Sequence, residues 1–159
     1  MILIHPCEGY RTFARVFWEL MPDFRFFHPI EVRYGDLDPQ GHLNNAKYLT
    51  FFEQARVHYL LHLGLFEPGQ SFVNIGIILA KVEVTFLASV EYGTDVRVGM
   101  RISRLGNKSM TAEYTLIDAA TQQELATGSA VLVGYDYQTK KTMPIPQEWR
   151  ERIIEFERT

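Results

Sequence analysis

The sequence predicts an α+β domain in which an antiparallel β-sheet wraps around one long central helix. Two observations carry this reading. Over residues 45–63 the apolar side chains recur at a helical period, and from Val82 onward the period falls to two. The later strand patterns are separated by short turns, so they should pair with their sequence neighbours as an antiparallel meander.

Taken in order, residues 28–36 read as a strand, with Val32 and Tyr34 alternating before the acidic turn that holds Asp36 and Asp38. In the helix that follows, Tyr48, Leu49, Phe51, Phe52, Ala55, Tyr59 and Leu60 cover most of the circumference, which predicts burial on more than one side. Gly64 serves as its C-cap and Pro68-Gly69 as a loop. Next, Val82, Val84 and Phe86 alternate with Lys81, Glu83 and Thr85. Val96, Val98, Met100 and Ile102 repeat the pattern, as do Met110, Ala112, Tyr114 and Leu116, and a last apolar run covers residues 126–135. The breaks at Glu91-Tyr92-Gly93, at Gly106-Asn107 and over residues 118–123 are turn chemistry. Strands with one apolar face need one cover, and the helix over 45–63 is long enough to supply it. After Pro144 and Pro146, residues 147–159 form a C-terminal helical segment anchored by Trp149, Ile153 and Phe156.

The chain of 159 residues suits one domain, placed over residues 28–146. An apolar content of 47% with 22% charged residues fits a globular protein and excludes a disordered or collagen-like class. A net charge of −3 gives no electrostatic reason to expect nucleic acid as a partner. No apolar run is long enough for a membrane span. The single cysteine, Cys7, excludes an internal disulfide framework and agrees with a reducing, cytoplasmic setting. Residues 1–27 form an N-terminal extension of uncertain role. Phe13, Val16, Phe17 and Leu20 have helical spacing, which fits an extra helix packed on the domain or on a partner subunit. Two other readings stay open: Met21 as the natural start, and a mitochondrial presequence, for which basic residues are few.

The segment EVRYGDLDPQGHLNNAKYLTFFEQAR, residues 31–56, concentrates the chemistry. It sets a carboxylate at the end of a strand, shortly before the N-terminus of a helix. Asn44 or Asn45 is a natural N-cap, and the free amides beside it can polarise a carbonyl. One short segment can thus supply both a base or nucleophile and the donors that stabilise an oxyanion. Asp36 and Asp38 also suit a turn on structural grounds alone, but Asp38 precedes Pro39, which biases it to an extended conformation.

Residues 32–56 resemble the signature of the hotdog-fold acyl-CoA thioesterases, in particular the 4-hydroxybenzoyl-CoA thioesterase-like group. The matching run is D-x-D-x-x-G-H-x-N-N-x-x-Y-x-x-x-x-E-x-A-R. The resemblance implies that Asp38 is the catalytic carboxylate, activating water or attacking the thioester directly. It also implies that the backbone N–H of Asn45 is the oxyanion donor. Asp36 is then mainly a turn residue. Other branches of the fold use a helix carboxylate, which makes Glu53 the backup catalytic residue. His42 and Tyr48 are candidate substrate contacts, although a turn histidine usually bonds backbone and an aromatic at that spacing is usually core. Glu53 and Arg56 are placed to pair with each other.

Coenzyme A is anionic, so local cations are required. Arg101, Arg104 and Lys108 bracket the Gly106-Asn107 turn, and Lys140-Lys141 offer a second patch. Lys108 and Ser109 match the family's CoA-contacting stretch and are the preferred candidates. His58 and His62 have a metal-compatible spacing that nothing else supports, so neither metal nor cofactor is expected. An acyl-CoA thioesterase is the leading reading. An acyl-carrier-protein thioesterase and a non-catalytic acyl-CoA-binding hotdog module are the alternatives. A sheet with exposed edges further implies a homodimer or homotetramer with its active site at the subunit interface.

Overall fold

The computed structural model describes residues 24–158. The readings of residues 1–23, including the helix over 10–20, Met21 as a start and the presequence, lie outside the described residues.

In chain order the elements are β1 (Phe26–Ile30), α1 (Asn45–His62), β2 (Ile77–Phe86), β3 (Val96–Leu105), β4 (Ser109–Asp118), β5 (Glu124–Asp136), β6 (Lys141–Thr142) and α2 (Gln147–Arg158). Every pairing is antiparallel. The sheet runs β1-β3-β4-β5-β2, with β6 paired to β5. The meander expected from Thr94 onward is therefore the centre of the sheet, and the two earlier strands flank it.

The sheet curls around α1 because one face of each strand is apolar and only α1 can cover it. Phe51, Phe52, Ala55, Tyr59 and Leu60 of α1 share a core with Val98, Met100, Ala112 and Leu116. Each Phe, Leu, Val or Met among them contributes about 1.5–3 kcal/mol by leaving water. The tightest approach is at the centre of the sheet. There the Phe52 ring stacks on Tyr114, with centroids 4.7 Å apart and planes 9° from parallel. Gly128 lies opposite Tyr114 on β5, and a Cβ at that position would strike the Phe52 ring. The missing side chain is what lets the helix settle there.

Three elements differ from expectation. First, β1 ends at Ile30 instead of continuing to residue 36, and Tyr34–Asp36 form a single 3-10 turn. The Asp36 carboxylate accepts from the Arg33 backbone N–H and from its guanidinium, a local bonding pattern that competes with a strand ladder. Second, α1 is buried along one broad side only. Leu49, Thr50, Glu53, Gln54 and His58 are exposed, since a single sheet reaches one side of a helix. Third, β2 begins at Ile77, directly after Gly76 in a left-handed conformation (φ 68°). It is an edge strand that pairs with β5 alone, and its Ile78, Leu79 and Phe86 are exposed.

Helix α2 closes one end of the barrel-like curl. Ile153 is buried, and Trp149 and Phe156 pack against the core. Glu157 accepts a hydrogen bond from the Tyr59 hydroxyl (2.6 Å) and another from the Ile102 amide (2.8 Å), which ties α2 to α1 and β3. Arg150 donates to the Gly106 carbonyl at 2.6 Å, fixing the β3–β4 turn.

Gly128→Ala should force Phe52 off its stacking position. We expect a loss of about 1–3 kcal/mol in urea unfolding, with the secondary structure seen by circular dichroism retained.

Candidate active site

The acidic turn is built to hold its own carboxylate. Asp38, Pro39, Gln40 and Gly41 form a β-turn closed by the Gly41 amide on the Asp38 carbonyl (3.0 Å), with proline at the position that favours its fixed φ. Gly41 has φ 84°, a conformation that side chains resist. The chain then returns antiparallel to itself: the Asp38 amide donates to the His42 carbonyl at 2.7 Å, and Leu37 bridges Leu43. Asp38 Oδ1 accepts from the amides of Gln40 (2.9 Å) and His42 (3.1 Å). Oδ2 has no protein partner among the described residues, and the side chain is half-buried. His42 acts on Asp38 through its backbone, while its residue is exposed and bridges Glu91.

Asp36 sits just behind this turn and does a different job. It is 1% exposed, paired with the Arg33 guanidinium (3.0 Å) and the Lys47 ammonium (3.0 Å). Its carbonyl accepts from the Asn44 amide at 2.9 Å. Hydrogen bonds from Arg33 first, then from Lys47, hold its carboxyl well below the usual carboxylate range. Asp36 thus locks the exit of β1 to the start of α1.

At the head of α1, Asn44 is the N-cap. Its side chain accepts from the Ala46 amide (2.9 Å), and its carbonyl accepts from the Lys47 amide (2.8 Å). The Asn45 amide is left as a first-turn donor with no acceptor among the described residues, on an exposed residue. A carboxylate oxygen and a free helix-head amide are thus presented by one stretch of chain.

Farther along α1, a cavity of about 350 Å³ opens between the helix and the β2, β4 and β5 strands. Leu49, Glu53, Arg56 and Leu60 line it from the helix, and Val82 and Tyr114 from the sheet. Glu53 and Arg56 pair across 3.4 Å. Tyr48 is buried and packs edge-on against Phe86 (4.8 Å), so it belongs to the core and not to this cavity.

Residues 32–153 match the model of the thioesterase-like superfamily. The chain belongs to that superfamily. Its fold is the hotdog fold, and its chemistry is that of a thioester hydrolase. A thioesterase from Thermus thermophilus, solved with coenzyme A and zinc, is 31% identical, with a TM-score of 0.75 over 87% of this chain and 99% of that one. The long-chain acyl-CoA thioesterase FadM of Escherichia coli (strain K12) is 25% identical over 78% of this chain and 93% of its own. A 1,4-dihydroxy-2-naphthoyl-CoA thioesterase from Synechocystis, at 21% identity, shares the fold with a TM-score of 0.74, over 83% of this chain and 97% of its own.

Within one chain of this thioesterase, the cation candidates lie away from the acidic turn. Lys108 and Ser109 are at the β3–β4 hairpin, whereas Leu43 of the turn segment bonds Val90, just ahead of β3. The ten residues of β3 separate those two ends by roughly 30 Å. Lys108 is exposed and donates to Thr142 Oγ1 at 3.4 Å. Arg101 is engaged by Glu113 (2.9 Å), which leaves Arg104, Lys108, Lys140 and Lys141 as the exposed cations at this end.

Three of the described histidines, His28, His58 and His62, pack against rings. His28 stacks on His58 at 3.8 Å, and His62 lies between Phe26 and Phe156. Burial first, and then the His58 ring, hold the His28 pKa below its ordinary value. The stack was not legible in the sequence, since it depends on which neighbours the fold supplies, whereas a free amide at the helix head was expected from the N-cap pattern.

Because the Asp36 pKa is depressed in the folded state, its stabilisation is present above the unfolded value of about 3.9 and lost as pH falls through and below it. Asp36→Asn should cost about 2 kcal/mol at neutral pH and flatten the acid limb of the stability profile. Chemical denaturation between pH 7 and pH 3 measures both.

Proposed function

We propose that this chain hydrolyses acyl-CoA thioesters, with Asp38 as base or nucleophile and the Asn45 amide as oxyanion donor. The observation that carries the reading is the division of labour at Asp38: Oδ1 is clamped by two amides of its own turn, while Oδ2 is free. A clamped carboxylate approaches the carbonyl carbon, or the water that attacks it, in a fixed orientation. The developing oxyanion is met by an amide aligned with the α1 dipole. Coenzyme A then leaves as the thiol and the acyl group as the free acid.

The phosphates of coenzyme A fall to Lys108 and Ser109, which one chain cannot bring to Asp38. A second copy can. The outer edge of β2 is open, with Ile78, Leu79 and Phe86 exposed on either side of the Lys81–Glu83 pair, and an open edge can pair with another strand. If two β2 strands pair antiparallel about a two-fold axis, the Phe86 end of one meets the Ile77 end of the other. Phe86 packs on Tyr48 near the head of α1, and Ile78 lies opposite Val133, which also pairs Ser109. Such pairing brings one subunit's acidic turn toward the partner's cationic end. The reading is therefore of a homodimer, or a homotetramer made of two such dimers, with the active site shared between subunits.

Free thiol release from acyl-CoA, followed with a thiol-trapping dye, measures the activity. Asp38→Asn keeps an oxygen for the Gln40 and His42 amides, so the fold should persist while kcat falls about 10²–10⁴-fold. Unchanged turnover would remove Asp38 from the chemistry. Rates on the same acyl group carried by acyl carrier protein decide the carrier.

Leu79→Lys places a charge on the open edge. Sedimentation should shift from twice the chain mass to one, with activity lost in parallel. A fully active monomer would overturn the shared site.

A further inference from the structure

Tyr114 stands at the inner wall of the cavity beneath α1 with no acceptor for its O–H. It is 1% exposed, and its hydroxyl has no hydrogen-bond partner among the described residues. A buried hydroxyl without a partner is costly, so its persistence calls for a ligand or another explanation. The ring cannot turn away, since Phe52 is stacked on it. Burial pushes the phenol up, so it remains a neutral donor at any working pH.

The Arg56 guanidinium, which can only donate, is close enough to act on the hydroxyl oxygen by hydrogen bonding and by charge, and the Glu53 carboxylate by charge; neither takes up the Tyr114 O–H. They pair with each other at 3.4 Å, and all three residues line the cavity. The polar corner therefore holds two kinds of donor, Tyr114 O–H and Arg56 N–H, with a local charge close to zero. A neutral acceptor such as a carbonyl oxygen fits it. A carboxylate would have to approach Glu53 and is disfavoured.

The position of this corner along the helix is set by sequence spacing. Asn45, Leu49, Glu53, Arg56 and Leu60 follow one another at intervals of three and four residues, so they form one stripe along α1. Asn45 heads the stripe, and the other four line the cavity. Phe52, stacked on Tyr114, lies seven residues beyond Asn45, which is about 10 Å along the helix axis. An acyl chain whose thioester carbonyl rests on the Asn45 amide would thus reach the corner well along its length.

We infer that the cavity selects acyl groups bearing a neutral oxygen acceptor, an oxo group above all, in mid-chain, with Tyr114 and Arg56 as the residues that read it. This rests on the acyl-CoA thioesterase reading above and adds the class of acyl group. Tyr114 here is a specificity residue and not a catalytic one.

The test uses medium-chain acyl-CoAs of one length, one saturated and the others carrying a single oxo group moved stepwise along the chain. In the wild type, kcat/KM should peak for a mid-chain oxo position, at about tenfold over the saturated chain, the value of one net hydrogen bond. In Tyr114→Phe that ratio should collapse toward one, with Tm unchanged or higher because an unbonded hydroxyl has been removed. A flat wild-type profile, or a ratio that survives in Tyr114→Phe, overturns the inference. So does a lowered Tm in that variant, which would reveal an internal partner for the hydroxyl. Binding of non-hydrolysable thioether analogues, measured by calorimetry, separates the two readings. Mid-chain preference in binding without hydrolysis upholds the pocket and removes the thioesterase assignment. Hydrolysis without preference does the reverse.

Discussion

The buried carboxylate of Asp36 is the contact on which the geometry of the site depends. It gathers Arg33 from the end of β1 and Lys47 from the first turn of α1, and its backbone carbonyl takes the amide of the N-cap residue Asn44. The turn after β1 and the head of α1 are thereby fixed at one point. A charge so placed is costly to desolvate, and here it is matched by two cations and a backbone amide, the condition under which a buried ion pair holds. The reactive turn projects from this junction, and the head of α1 starts from it. On the proposed assignment the two aspartates, two residues apart, divide stability and chemistry between them.

The second organising constraint is the ratio of helix to sheet. One helix against one curled sheet buries the helix on a single side, which leaves the opposite side of α1 and the outer edge of β2 with apolar surface facing water. Leu49, Ile78, Leu79 and Phe86 are all exposed for this reason. The same shortage of cover produces the cavity between α1 and β2. A fold of this kind has room for a ligand because its core is incomplete in one chain. In the proposed dimer, assembly and substrate binding draw on the same deficit.

Much of this was legible in the sequence, for identifiable reasons. β3 and β4 show strict alternation because each has one face on α1, and the start of α1 is marked by Asn44-Asn45 followed by a helical period. The end of β1 was not legible: Val32 and Tyr34 alternate as a strand would, but the Arg33–Asp36 bonds bend the chain, and those bonds are tertiary in their consequence. Ile77–Ile78–Leu79 carried no alternation because an edge strand beside a cavity has no clean inside and outside. Tyr114 read as one more apolar position in β4, and nothing in that pattern reveals that its hydroxyl lacks a partner. The role of Gly128 likewise depends on a ring contributed from 76 residues earlier in the chain.

The clamp on Asp38 has a consequence for how this fold can diversify. Both amides that fix the carboxylate come from within four residues of it, so its orientation is encoded by the loop itself and not by the core. The cavity wall, by contrast, is assembled from α1 and three strands. Substitutions at Glu53, Arg56 or Tyr114 can therefore reshape the wall without disturbing the clamp on Asp38. On the proposed assignment, reactivity travels as a short cassette and selectivity as a property of the packing, and the two can be altered independently by descent or by design.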